Sequence, residues 1–210
     1  AGQVAMHDAL TVNAIPDSAI DDFESGDLVV ENEDWSDWSK IQGDSLSAQQ
    51  SVVLDGSFSG ELAANSADTR WQTARSSEAQ RSEFRYDFQI SEQNGDSGDF
   101  HLFRLFGSGS DFVQFFPRQD GTIDFNANLN VASWSIDTHY RLNLSNIDYA
   151  AETLDVEILD VDGSTTLYSA TDVAFNESVS GLDEVVVGHR NSSVGTTGSS
   201  FIDLVGWPPE

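Results

Sequence analysis

The segment Arg81-Ser82-Glu83-Phe84-Arg85-Tyr86-Asp87-Phe88-Gln89-Ile90 holds the densest set of groups able to grip a polar ligand. Read as a β-strand, it puts Arg81, Glu83, Arg85, Asp87 and Gln89 on one face, and Phe84, Tyr86, Phe88 and Ile90 on the other. A guanidinium presents a planar fork of donors that meets a carboxylate two oxygens at a time. The strand therefore reads as a candidate site for a carboxylate-bearing ligand. Arg104 and Gln114, in the next two strand-like runs, are expected to join this face. The plainer reading is that Arg81, Glu83 and Arg85 form ion pairs on a solvated sheet. Proton-transfer chemistry at such a site would also need a base, for which His101 and His139 are the candidates.

Other residue sets are less specific. Glycoside hydrolysis needs two carboxyls roughly 5 to 9 Å apart. Glu157, Asp160 and Asp162 form an acidic run, but strand alternation turns Glu157 away from the other two. With 36 acidic residues in the chain, such runs also arise by chance. Trp35 and Trp38 either stack on sugar rings or cap one end of the fold, and Trp71 and Trp134 carry the same two readings. No Gly-Lys-Ser/Thr phosphate loop and no Gly-x-Ser-x-Gly elbow occurs.

Composition restricts the setting. The 210 residues include 36 acidic and 9 basic ones, a formal net charge of -27. Lys40 is the one lysine; the other basic residues are arginines. In dilute buffer this much like charge opposes compaction. At molar salt the Debye length falls to about 3 Å and the repulsion is screened. The acids are spread along the chain, which suits a surface adapted to concentrated salt. An acidic ion-binding protein and unselected acidity are the other readings. No basic patch exists to meet phosphates, so no nucleic-acid partner is expected. The absence of cysteine excludes disulfides and thiolate metal sites. No apolar run reaches the roughly 18 residues of a membrane span, so no membrane insertion is expected. Residues 1–20 show no charged segment followed by an apolar one. Ala1 reads as what remains after removal of the initiator Met or of a leader.

Positioning these groups falls to short strands. Residues 1–19, which include Ile15-Pro16-Asp17-Ser18, are expected to form an N-terminal arm: a tether, an assembly contact or a frayed end. Residues 20–207 should make one domain, with 208–210 as a tail. Period-2 patterns predict strands over 46–54, 84–90, 101–106, 112–116, 123–126, 139–144, 154–161, 165–168, 185–189 and 201–207. Asp55-Gly56, Arg118-Gln119-Asp120-Gly121 and Asp162-Gly163 supply turns, and residues 91–99 read as a loop. No stretch shows helical period. The expected fold is all-β, a two-sheet antiparallel β-sandwich.

Three phrases carry a resemblance. They are Ile20-Asp21-Asp22-Phe23-Glu24-Ser25-Gly26-Asp27-Leu28; then His139-Tyr140-Arg141-Leu142-Asn143-Leu144 with Leu154-Asp155-Val156-Glu157-Ile158; then Phe201-Ile202-Asp203-Leu204-Val205. In pattern the chain resembles the concanavalin A-like lectin/glucanase superfamily, which includes laminin-G-like domains. Its opening and closing phrases are similar to those of haloarchaeal surface proteins and haloarchaeal virus proteins. The resemblance implies a jelly roll whose first and last strands pair and whose concave sheet often holds a carbohydrate. It also implies a structural Ca²⁺ near that strand junction, with Asp22, Glu24 and Asp203 as hard oxygen ligands; solvated surface acids are the other reading. Arg81-Ser82-Glu83-Phe84-Arg85 looks like the Arg-Ser-Glu-Leu-Arg strand of alginate-lyase-like enzymes. The Gln-Ile-His and Tyr-Lys-Ala-Gly-x-Tyr-Asn-Gln strands of those enzymes are missing. His139-Tyr140 sits where the superfamily commonly opens a strand with an aromatic residue or a histidine.

The expected function is a non-catalytic recognition or structural module on the virion or cell surface of a halophile. Its expected partners are a surface glycan, copies of itself, or other virion or surface proteins. The alternatives are a polysaccharide lyase or glycoside hydrolase of the same fold, and a purely architectural, self-assembling subunit.

Overall fold

The computed structural model describes residues 19–206, apart from 31, 33, 44, 66–68, 95–100 and 190–196. The expected arm and tail lie outside the described residues, except for Ala19. In chain order the strands are β1 (Ala19–Asp21), β2 (Ser39–Gln42), β3 (Leu46–Gln49), β4 (Ser59–Asn65) and β5 (Thr69–Ala79). They continue as β6 (Phe84–Asn94), β7 (His101–Gly107), β8 (Ser110–Pro117), β9 (Thr122–Phe125) and β10 (Asn128–Ser133). The last are β11 (His139–Asp148), β12 (Thr153–Asp160), β13 (Thr165–Ala174), β14 (Leu182–His189) and β15 (Thr197–Gly206).

Two antiparallel sheets form. One runs β13-β12-β11-β6-β15-β4-β3, with β1 also paired to β15. The other runs β10-β9-β8-β7-β14-β5-β2. The first and last described strands therefore pair, through Ala19–Gly206 and Asp21–Val205. Strand alternation explains the layering. Phe84, Tyr86, Phe88 and Ile90 of β6 are buried, and so are Leu142 and Leu144 of β11 and Val156 and Ile158 of β12. They meet Phe103 and Leu105 of β7, Val113 and Phe115 of β8, and Val185 and Val187 of β14 in one core. A fully buried side chain of this kind contributes about 1.5–3 kcal/mol, so the sandwich is held chiefly by this layer.

Several strands differ from the sequence reading. The expected strand over 46–54 stops at Gln49, because the Gln49 side chain turns the chain. Its Oε1 accepts the N–H of Val52 at 3.1 Å, and its Nε2 donates to Val52 O at 2.6 Å. The strand that begins at Phe84 continues through Asn94, where a loop was expected from Ser91. Five further strands, β1, β2, β4, β5 and β10, lie where the pattern suggests none. In β5 the inward residues are Thr69, Trp71 and Thr73, and two threonines do not register as an apolar stripe.

Candidate functional site

The outward face of β6, β11 and β15 carries a buried ionic centre. Arg141, Asp87 and Asp203 stand in one row, since Asp87 is the register partner of Arg141 on β11 and of Asp203 on β15. Asp87 is 0% exposed. Arg141 grips it from one side, with Nε to Oδ1 at 2.8 Å and Nη2 to Oδ2 at 2.9 Å. Arg85, two residues earlier on β6, does the same at 3.1 and 2.8 Å. His139 Nε2 lies 3.2 Å from Oδ2. Burial alone would raise the Asp87 carboxyl. The bonds from His139, Arg141 and Arg85 outweigh it and hold the group well below the usual carboxylate range. An ionised carboxylate only accepts, so His139 Nε2 carries the proton in this bond.

Asp203 behaves oppositely. Burial, with the nearby Asp87 and Asp55 charges adding to it, pushes its carboxyl up to about 8. The backbone N–H groups of Leu204 and Asp55, bound at 2.8 and 3.0 Å, moderate the rise. Asp55 itself is exposed and sits 3.8 Å from Arg85 Nη2. The face thus has two guanidiniums fixed by one anion, with Gln89 and Asn143 beside them on neighbouring rows.

The sequence-derived ligand set is divided. Arg85, Asp87 and Gln89 share this face as expected. Arg81 and Glu83 precede β6, in the connection from β5, so they do not continue its polar row. Arg104 and Gln114 do not join them. They are register partners on β7 and β8, in the other sheet, whose outward face points away. There Arg104 Nη1 is 3.1 Å from Asp111 Oδ2, and Gln114 Nε2 donates to the same oxygen at 2.8 Å. The Arg104 guanidinium lies 5.2 Å from the Phe116 ring centre, beside buried Leu102 and Val186. β6 and β7 are consecutive in the chain yet enter different sheets, and a period-2 pattern cannot report that.

The three described histidines are all engaged. His139 is held by Asp87. His101 lies in the core, where its Nε2 is 2.6 Å from the Tyr86 hydroxyl and its Nδ1 is 3.1 Å from Ser200 Oγ. His189 Nε2 is 2.7 Å from the same Oγ. One proton arrangement gives the Tyr86 hydrogen an acceptor: Tyr86 donates to His101, His101 Nδ1–H to Ser200, and Ser200 to His189. Burial, and next the neighbouring His189, keep His101 neutral, well below the usual histidine range. Being fully enclosed, His101 is not placed to act as a base on an external ligand, contrary to the sequence expectation.

The remaining candidates have local roles. Asp22, Glu24 and Asp203 are not brought together as a Ca²⁺ site. Asp22 Oδ1 accepts Glu24 N at 3.1 Å, and Glu24 Oε1 accepts Ser57 N and Phe58 N at 2.6 and 2.9 Å. Glu24 and Asp203 thereby pin the loop around Gly56, whose φ of 67° suits glycine. Among the described residues no group of three or more His, Asp or Glu converges on a metal position. Glu157 bonds to Asn143 and Thr166, whereas Asp160 accepts Gly163 N and Asp162 accepts His139 N. These acids form no facing pair. Trp35, Trp38 and Trp134 are buried caps. Trp38 donates to Asp21 and stacks on Phe23, and Trp134 donates to Arg118 O. Arg141 is the member of this ionic centre that the sequence reading passed over. Its signal was its place on the polar row of an alternating strand, in a chain poor in positive charge.

No family model matches the chain, and no curated protein matches it. Solved structures do. The chain is similar to the cellulose-induced protein Cip1, at 14% identity over 90% of this chain and 96% of that one, with a TM-score of 0.58. It is similar to an endo-β-1,4-glucuronan lyase from the fungus Trichoderma reesei, at 14% identity over 83% and 90%, with a TM-score of 0.52. It is similar to lectin I-B4 from Griffonia simplicifolia, at 14% identity over 87% and 94%, with a TM-score of 0.50. The fold is the jelly-roll sandwich of concanavalin A-like lectins and lyases. At such identities the likeness fixes the architecture and leaves the chemistry to the side chains.

Proposed function

We propose that this domain recognises a glycan without cleaving it, and does so in concentrated salt. The observation that carries the reading is the Asp87 centre. It presents Arg85 and Arg141 as rigid, pre-oriented donors, while its one imidazole, His139, is spent on the same carboxylate. A face built this way offers fixed hydrogen bonds to a polyhydroxy ligand, and its imidazole is buried. The fold shared with lectins supports the reading, and the net charge of -27 supports a saline setting. Display on a virion or cell surface is part of the proposal. It rests on the acidic composition and on the resemblance to haloarchaeal surface and virus proteins.

The test is glycan-array binding in molar salt, run beside an ultraviolet assay for unsaturated uronate ends on acidic polysaccharides. The expected result is retention of a glycan with no product, weakened in Arg141→Lys, which keeps the charge and loses the fork. Product that accumulates with the wild type and vanishes in His139→Ala would overturn it. That outcome would favour the second reading, a polysaccharide lyase, for which the His139–Asp87 pair is the supporting geometry.

A further inference from the structure

The end of the sandwich where β5 turns into β6 contains a hollow remote in character from the Asp87 face. It lies between the 80–83 connection and the 149–152 turn that joins β11 to β12. Its volume is about 500 Å³, and Gln80, Arg81, Ser82, Asn146, Asp148 and Tyr149 line it. A second hollow of about 370 Å³ shares Gln80, Tyr149 and Ala150 with the first and adds the hydroxyls of Ser108, Ser178 and Ser180. Sites for small ligands commonly measure roughly 300–1,000 Å³.

Its surface is of two kinds. Buried Ile147 and Val179 and the half-buried Tyr149 provide apolar ground. The Tyr149 ring is held by Phe112 and Phe175, each 5.8 Å away between ring centres. The Ser108 and Ser180 hydroxyls donate to Glu78 and that of Ser178 to Glu152, so they remain as acceptors; the Arg81 guanidinium, the amides and the Asp148 carboxylate complete a lining of donors and acceptors. The walls are fixed by the fold. Ile147 N, near the end of β11, donates to Ser82 O at 3.0 Å, which ties that strand end to the 80–83 connection. Gln80 Nε2 donates to Ser180 O at 3.1 Å, and Asp148 Oδ1 holds the N–H groups of Ala150 and Ala151 at 2.8 and 2.9 Å.

An aromatic and apolar patch receives the C–H face of a sugar ring, and mixed donors and acceptors receive its hydroxyls. An anionic ligand would meet Asp148 and the field of a chain carrying -27. We infer that this groove binds one neutral pyranose unit, as a site separate from the Asp87 face. The inference rests on the glycan-recognition reading and locates a contact that reading does not assign.

The experiment titrates labelled protein in molar salt with neutral methyl hexopyranosides and with a methyl glucuronide, followed by amide chemical shifts. The expected result is a response confined to residues 80–82, 146–150 and 178–180, from a neutral glycoside. Ala150→Trp, an exposed change that fills the groove, should weaken it about tenfold. Gln80→Ala, which removes one lining amide and its bond to Ser180 O, gives a second, smaller perturbation. Shifts confined to Arg85, Gln89 and Arg141, or unchanged affinity in Ala150→Trp, would overturn the groove and leave glycan recognition standing. Tighter binding of the glucuronide would overturn the ligand class. No response to any glycoside, with an array that is blank, would sink both proposals.

Discussion

Asp87 and Asp203 are register partners across β6 and β15, and their carboxyls are driven in opposite directions. One is ionised beneath two guanidiniums. The other keeps its proton to about pH 8. Two acids thus share one buried row without two charges, which separates the sites by role: Asp87 orients the arginines, and Asp203 holds the loop at Asp55.

Removing the anion should be far worse than removing its neighbour. Asp87→Ala leaves Arg85 and Arg141 facing each other with their shared partner gone, and should cost about 3–5 kcal/mol. Asp203→Asn loses one good hydrogen bond and should cost about 1–2 kcal/mol. Denaturant unfolding in molar salt measures both. Equal losses would contradict the assignment of charge to Asp87 alone.

Two carboxyls should make stability fall as pH rises. Burial lifts Asp21 to about 7, and burial lifts Asp203 to about 8. Both folded values lie above the ordinary value near 4. Their contribution is therefore fully present below about pH 4 and is lost as pH climbs toward 7 and 8. Thermal melts across this range should show the decline, and Asp203→Asn and Asp21→Asn should each flatten it.

His101 contributes with the opposite sign. Its folded value lies below the ordinary value near 6.5, so its contribution is present above that pH and is lost as pH falls. His101→Phe should remove this acid-side loss, whatever it does to the overall midpoint. Ser200→Ala should cost about 1–3 kcal/mol, because two enclosed imidazoles then lack their shared partner. Melts at acid and neutral pH, compared between the two variants, check both statements.

Salt should stabilise the fold strongly. Raising ionic strength from 0.1 to 1 M shortens the screening length from about 10 to about 3 Å. With a net charge of -27 the melting temperature should climb steadily over that interval. A flat response would show that the acids do not repel one another in the folded state.

The strands with large apolar residues on alternate positions, such as β6, β8 and β12, were legible in the sequence. β5 was not, because Thr69 and Thr73 face the core where a pattern reader looks for Val or Ile. The site was half legible. Alternation placed Arg85, Asp87 and Gln89 on one face correctly, because that face depends only on local parity. It misplaced Arg104 and Gln114, because parity says nothing about which sheet a strand enters. Arg141 was missed for the same reason: its partner Asp87 is 54 residues away, and only strand order makes them neighbours.

The Tyr86–His101–Ser200–His189 series crosses from one sheet to the other at every step, through β6, β7, β15 and β14. Greasy contacts between two layers tolerate a slip of one layer over the other, since one methyl is much like the next. Directional bonds do not. A shear of a single residue would break all three links at once and strand polar atoms in a dry interior. The sandwich is thereby indexed, layer against layer, and the strand ends that carry its outer faces keep fixed positions in spite of the self-repulsion of the chain.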